Sequence, residues 1–260
     1  MRETQPVEAP GATMYQRIRT VCPSLRARVR VVAHHEGTTA GWVGADDLVR
    51  SGNLADVVID AAATRIERDH GARPPRHVAA TRVLHDYAWS TALLMSGPWF
   101  LEARVPRLRR TDVRLYLATG TLEVIPTDEL MPGEPDAALR AAVAEHLGPL
   151  LAAVGPQLRR GPRALWGMVT DDLVSGIWHL GQELGDEETA VRAATRLLPH
   201  RDEPFPGGAR FRQLTGPDGA THTTRARLAC CLNYTIGPGQ ACVTCPRTPD
   251  AERVRRLAQP

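Results

Sequence analysis

The run RALWGMVTDDLVSGIWHLGQEL at residues 163–184 is the stretch that most clearly indicates the fold class of this chain. Its apolar residues recur every three or four positions, which is the spacing of one buried face on an α-helix. The residues on that face are Trp166, Val169, Leu173, Ile177 and Leu180. Gly185 follows the run and is typical of a helix end, because glycine adopts the left-handed conformation without steric penalty. The run therefore predicts a long amphipathic helix.

Similar patterns predict four more helices along the chain. They cover residues 54–70, 77–95, 137–154 and 186–198. The expected N-terminal caps are Asn53, Asp136 and Asp186, whose side chains accept hydrogen bonds from free backbone N–H groups. The second helix is expected to end before Gly97 and Pro98, and Pro149 is expected to kink or shorten the third, because proline lacks a backbone N–H.

The β-structure is expected to be small. A cluster of β-branched residues predicts a strand at 28–33, and alternation predicts a hairpin of 113–117 with 122–125. We therefore expect an α+β fold: a mainly helical body with a small antiparallel β element and a loop-rich C-terminal segment. The body would cover residues 13–205 and the C-terminal segment residues 206–249, as one continuous domain, with the first 12 residues poorly ordered.

Composition excludes several classes of protein. The 260 residues are 43% hydrophobic, enough for a sizeable core, and their net charge of +3 is too small to indicate a nucleic-acid partner. The chain has no lysine, which excludes Schiff-base chemistry and the phosphate-binding loop lysine. No stretch of 18 apolar residues and no secretory signal are visible, so we expect a cytoplasmic protein with no membrane span and reduced cysteines.

The C-terminal segment carries the most specific motif. Cys230, Cys231, Cys242 and Cys245 follow the pattern C-C-x10-C-x2-C. Four cysteines so close together in a reducing compartment indicate a metal site, and thiolates select zinc or iron–sulfur clusters. Structural zinc sites usually use two C-x2–4-C elements. The vicinal pair here suits a wider group such as a two-iron cluster, in which each of two metal ions needs two thiolates. The spacing thus favours a two-iron cluster over zinc without excluding zinc.

The same residues resemble a known family. The motif R-x-x-C-C-L-x-Y…G…C-x-x-C-P is similar to the C-terminal motif of FhuF-like ferric-siderophore reductases, over about 20 of the 260 residues. Its residues here are Arg227, Cys230, Cys231, Leu232, Tyr234, Gly239, Cys242, Cys245 and Pro246. The Leu165-Trp166-Gly167 element is also similar, while Val243 and Thr244 depart from the small or acidic residues expected between the last two cysteines.

The resemblance implies a cytoplasmic one-electron reductase. Its four cysteines would ligate a [2Fe–2S] cluster that passes an electron to siderophore-bound Fe(III), releasing Fe(II), with hydroxamate siderophores favoured. Arg225, Arg227 and Arg247 flank the motif and are candidates to stabilise the reduced cluster. Because arginine occurs throughout this chain, a solvated surface position is the alternative for each of them.

A second hypothesis is a non-enzymatic module. In it, the four cysteines hold zinc or a regulatory cluster, and the body binds a siderophore or a partner protein. The sequence has no flavin or nicotinamide fingerprint, so the reductase hypothesis requires an external electron donor such as a ferredoxin or a flavoprotein reductase.

Other polar residues are not expected to act chemically. Cys22 is interpreted as a buried or inert cysteine. Asp171 and Asp172 are adjacent on a helix, so they do not face each other, and we expect them on a solvated face. His85 with Asp86 and Ser90 lacks the accompanying elements of a hydrolytic site.

Overall fold

The computed structural model describes residues 11–35, 40–237 and 240–259. It is 57% helical, which confirms the mainly helical α+β fold. The helices are α1 Ala12–Val21, α2 Pro23–Arg28, α3 Ala45–Arg50, α4 Gly52–His70, α5 Arg76–Glu102, α6 Pro135–Leu158, α7 Pro162–Glu183, α8 Glu187–Leu197 and α9 Asp250–Leu257. The strands are β1 Val29–Val31, β2 Trp42–Gly44, β3 Val113–Tyr116, β4 Leu122–Val124, β5 Phe211–Thr215 and β6 Thr221–Arg225.

Helix α7 lies at the centre of the helical body and packs against α5, α6 and α8. Its predicted apolar face is buried: Leu173, Ile177 and Leu180 are fully inaccessible. Trp166, nearer the start of the helix, is half-buried and meets the edge of Phe205 at a ring distance of 5.6 Å. The sequence pattern therefore located the helix on which the rest of the body is assembled.

The main sheet has four strands in the order β1-β4-β3-β2. The predicted hairpin of β3 and β4 is present, with Leu115 opposite Leu122, and β2 adds to it antiparallel. The strand predicted at 28–33 is shorter and pairs in parallel with β4. The expected antiparallel pairing is present in β2, β3 and β4 and in a separate two-stranded sheet of β5 and β6, whereas β1 lies parallel to its neighbour.

Two predicted helix ends are wrong. Helix α5 continues through Gly97 and Pro98 to Glu102, and α6 continues through Pro149 and Pro156 to Leu158. Close packing explains the first case, since a Cβ at Gly97 would lie 2.8 Å from Ile18. Tertiary burial outweighs the one hydrogen bond that each proline removes.

Of the three predicted caps, the one at α8 is confirmed, the one at α6 is supplied by another residue, and α4 has no side-chain capping hydrogen bond within the described part of the chain. Asp186 caps α8, accepting from the Thr189 N–H at 3.3 Å, as predicted. Helix α4 begins one residue after Ser51 rather than after Asn53. At α6 the cap is Glu134, whose carboxylate accepts from the N–H groups of Asp136 and Ala137, and not Asp136 itself.

One helix in the described part of the chain, α6, is long and apolar enough to pass for a membrane span by length and composition. A core helix passes the same test. The side chains of Leu139, Val143 and Leu147 are fully buried inside the protein.

His146 on α6 is buried between two other elements. Its Nδ1 donates to the carbonyl of Leu108 at 2.8 Å, and its Nε2 accepts from the hydroxyl of Tyr87 at 2.8 Å. This arrangement suits a neutral ring. Burial lowers the pKa of His146 to about 4, because a second proton would place a charge in the core.

We predict an acid sensitivity that arises from this residue. Above pH 6.5 the imidazole of His146 is neutral in both the folded and the unfolded protein. Below pH 6.5 the unfolded chain binds a proton that the folded protein does not bind, so the free energy of unfolding decreases until about pH 4. The loss is on the order of 3 kcal/mol. Urea unfolding at several pH values gives the free energy of unfolding as a function of pH. Between pH 6.5 and 4, this free energy should fall less steeply with decreasing pH in His146→Gln than in the wild type, while the exposed His200→Gln control should match the wild type. Equal slopes for all three would contradict the assignment.

Candidate functional site

We call residues 226–249 the cysteine segment; positions 238 and 239, and with them Gly239 of the family motif, lie outside the described residues. The segment begins after β6 and runs against α7. Gly167 of α7 permits this approach, because a Cβ there would lie 3.3 Å from the Cβ of Leu228. The start of the segment is therefore in direct contact with the central helix.

A buried carboxylate on α7 holds the start of the cysteine segment in place. Asp171 is 0% exposed, and its Oδ1 accepts from Arg225 at 2.7 Å and from the Leu228 N–H at 3.0 Å. Its Oδ2 accepts from the Ala229 N–H at 2.8 Å. Arg225, also 0% exposed, donates in addition to the Ser175 hydroxyl at 2.7 Å. The backbone directly before Cys230 is thus held by one side chain.

Burial works against both charges of this pair. It raises the pKa of Asp171 and lowers the pKa of Arg225, since each ion has left water. Two backbone N–H groups and a second arginine, Arg227, support the carboxylate charge. A buried ion pair persists only with such extra partners.

The neighbouring carboxylate contacts other elements. Asp172 is 1% exposed, and its Oδ1 is 2.7 Å from Nδ1 of His85 and 3.3 Å from Nη2 of Arg227. Its Oδ2 has no hydrogen-bond partner among the described residues. The expectation of a solvated face for Asp171 and Asp172 is therefore wrong, because side chains distant in the sequence cover this face of α7. His85 precedes the helix, and Arg225 and Arg227 follow it.

A third arginine holds the C-terminal end of the cysteine segment in place. Arg253 of α9 is 3% exposed and donates to the carbonyls of Thr248 at 3.0 Å, Arg225 at 2.8 Å and Cys245 at 2.8 Å. Sequence analysis missed this residue. Its run, DAERVRRL, is so rich in charge that nothing in the pattern marks one arginine as buried.

The predicted arginines have different surroundings. Arg225 and Arg227 are buried in ion pairs, so the alternative of a solvated position is wrong for both. Arg247 is exposed, and its guanidinium lies 5.0 Å from the ring centroid of Tyr234.

The structure brings two of the four predicted thiols together. Sγ of Cys230 and Sγ of Cys245 are 3.9 Å apart, and the Leu232 N–H donates to the Cys230 sulfur at 3.4 Å. Cys242 and Cys245 belong to one tight turn, in which the Cys245 N–H donates to the Cys242 carbonyl at 2.9 Å. Cys231 is buried and Cys242 is exposed.

Electrostatic interactions connect three of the four thiols, those of Cys231, Cys242 and Cys245, to two arginines. Burial and the neighbouring Cys230 and Cys231 raise the pKa of Cys245, since each thiolate disfavours the next. Burial opposes the charge of Arg227, but Asp172 and Asp171 outweigh it, and with Cys231 and Cys242 they raise its pKa. Burial and the neighbouring Arg212 lower the pKa of Arg253, although Asp250, Cys242 and Cys245 act in the opposite direction.

The donor set fits a thiolate-ligated metal in its chemistry. Two thiolates at about 2.3 Å from one tetrahedral metal lie roughly 3.8 Å apart, close to the Cys230–Cys245 separation of 3.9 Å. Within residues 11–35, 40–237 and 240–259, no group of three or more His, Cys, Asp or Glu side chains converges on one point. The structure therefore provides one pair at ligand spacing, with Cys231 and Cys242 on the same short segment.

The remaining candidates lie apart from the thiols. Cys22 is buried, as expected, with its sulfur 3.3 Å from the Ser24 hydroxyl, which lies 3.1 Å from Nε2 of His179. Burial raises its pKa, but hydrogen bonds from His179 and Ser24 outweigh this and lower it. Ser90 donates to the Asp86 carbonyl at 2.8 Å.

Fold and site together define a mainly helical α+β protein whose cysteine segment is fastened to a core helix by buried charges. Comparison of the chain with protein-family models and with curated proteins found no match.

The fastening leads to a stability prediction. Asp171→Asn would leave Arg225 as an uncompensated buried charge, which costs about 3–5 kcal/mol. Urea unfolding at neutral pH should show this loss, whereas Asp69→Asn, which removes an exposed ion pair with Arg68, should leave the midpoint unchanged. A wild-type midpoint for Asp171→Asn would contradict the role of this carboxylate.

Proposed function

We propose that the protein is a cytoplasmic ferric-siderophore reductase. Cys230, Cys231, Cys242 and Cys245 would hold a [2Fe–2S] cluster, which supplies one electron at a time when bound. The observation that carries the proposal is the cysteine segment itself: four thiols in one short segment, one pair at 3.9 Å, with Arg227 and Arg253 near enough to interact electrostatically with three of them.

The electron balance of the proposed reaction is simple. A partner protein, such as a ferredoxin or a flavoprotein reductase, supplies one electron, and the siderophore-bound Fe(III) accepts it and becomes Fe(II). Hydroxamate and catecholate oxygens hold Fe(II) far more weakly than Fe(III), so reduction releases the metal. No covalent bond between protein and substrate is required.

The chain's own residues support such a role in two ways. Arg227 and Arg253 place positive charge beside the thiols, which favours a centre that gains negative charge on reduction. The exposed Cys242 brings one ligand to the surface, where an electron has a short path to a docked partner. Buried Cys231 and Cys245 keep the opposite side away from water.

Ligand substitutions test the metal assignment. Cys230→Ser and Cys245→Ser should lose the cluster, because each removes one thiolate of the pair at 3.9 Å, while Cys22→Ser should keep it. Iron and acid-labile sulfide per chain, measured after anaerobic purification, provide the comparison. Full occupancy in Cys245→Ser would remove this ligand assignment. A colourless wild-type protein with one zinc per chain would favour the non-enzymatic module.

The reaction itself is tested by stopped-flow mixing. Reduced protein should be reoxidised by ferric hydroxamate complexes and more slowly by ferric catecholates, because hydroxamate complexes are easier to reduce. Visible absorption follows the protein, and a ferrous chelator traps the product. Reoxidation no faster than that of an unrelated reduced ferredoxin, for every siderophore tried, would overturn the proposal.

A further inference from the structure

An open pocket of about 390 Å³ adjoins the cysteine segment. Helices α2, α5 and α7 form one side of it, and Cys242 and Thr244 form the other. Its volume falls within the range of small-molecule sites. The pocket therefore places an exposed thiol of the segment next to a cavity in the helical body.

Flat aromatic surfaces line the helical side. Trp89 of α5 and Trp178 of α7 are both half-buried and both face the pocket. The ring of His179 lies 5.9 Å from that of Trp89. Two indoles that remain partly open to solvent at one pocket provide an apolar contact surface for a ligand.

Polar groups in the same pocket favour a ligand rich in oxygen acceptors. Arg28 and Arg227 contribute guanidiniums, and Asp172 contributes the single carboxylate of the lining. The Oδ2 of Asp172 has no partner among the described residues, but it is buried, so it adds negative charge behind the pocket wall and no direct contact for a ligand. The guanidinium of Arg28 lies 5.7 Å from the Trp89 ring centroid, which places its donors beside the apolar surface.

We infer that this pocket is the docking site for the ferric chelate, an inference that rests on the proposed function. Carbonyl and hydroxamate oxygens would accept hydrogen bonds from Arg28 and Arg227, and methylene linkers would pack on Trp89 and Trp178. The bound iron complex then contacts the wall that contains Cys242. Electron transfer requires such proximity, whereas release of the product requires the open side of the pocket.

A second pocket provides the matched control. It has a volume of about 420 Å³ and is also arginine-rich, with Arg65, Arg68 and Arg82 in its wall. Among the described residues, Asn233 and Ile236 are its contacts with the cysteine segment, and its lining contains no cysteine. Arg28 lies between the two pockets and lines both, so it does not distinguish them. If arginine charge alone selected the ferric chelate, this pocket would bind it equally well. The two indoles and Cys242 are the features that distinguish the first pocket from the second.

The test uses the gallium(III) complex of a hydroxamate siderophore, which binds like the ferric complex but cannot be reduced. Calorimetric titration of the holoprotein should show about a tenfold rise in Kd for Trp89→Ala, because the apolar contact is lost. Gln182→Trp, which adds bulk at an exposed position in the lining, should weaken binding similarly without altering the core. Arg68→Ala, in the other pocket, should leave Kd unchanged.

The outcomes separate docking from reduction. Weaker binding in Arg68→Ala with wild-type binding in Trp89→Ala and Gln182→Trp would overturn the assignment, as would no binding of the gallium complex to the wild type. Normal gallium binding that responds to Trp89→Ala, together with no reoxidation by ferric complexes, would keep the docking site and overturn the reductase function.

Discussion

The buried carboxylate of Asp171 is the group on which the arrangement of the C-terminal region depends. A charge that has left water needs partners in fixed positions, and here the partners are Arg225 and the N–H groups of Leu228 and Ala229. These groups belong to the chain that leads directly into Cys230. The position of the first two thiols is thus set by α7, a helix whose own position is set by the hydrophobic core.

The adjacent carboxylate, Asp172, extends this constraint to the pocket beside Cys242. Successive residues of a helix point about 100° apart, so Asp172 meets His85 and Arg227 instead of Arg225. Arg227 touches both carboxylates and also carries charge towards the thiols. In a chain without lysine, this buried guanidinium and that of Arg253 provide the counter-charge that a cluster of thiolates needs.

Under the proposed function, the helical body is larger than four thiolate ligands would require, and the placement of its helices gives it a second use. Helices α5 and α7 each present a half-buried tryptophan to the pocket that Cys242 enters. Both helices also hold the polar groups that position the cysteine segment, since His85 lies on α5 and Asp172 on α7. Helices α5 and α7 therefore both line the pocket and carry the polar groups next to the cysteine segment. A shift of either helix would change the pocket and the position of the segment together.

The sequence alone determined the helical body, the β3–β4 hairpin and the four candidate ligands, because local periodicity and short-range spacing encode each of them. It did not reveal the continuation of α5 through Pro98, the parallel pairing of β1 or the buried state of Asp171, Asp172 and Arg253. A charged residue looks solvated until its partner is known. The partners of Asp171 and Asp172 are more than 50 positions away along the chain, and Arg253 reaches back 28 positions to the carbonyl of Arg225. Only the tertiary structure unites them, because burial of charge depends on which distant elements meet.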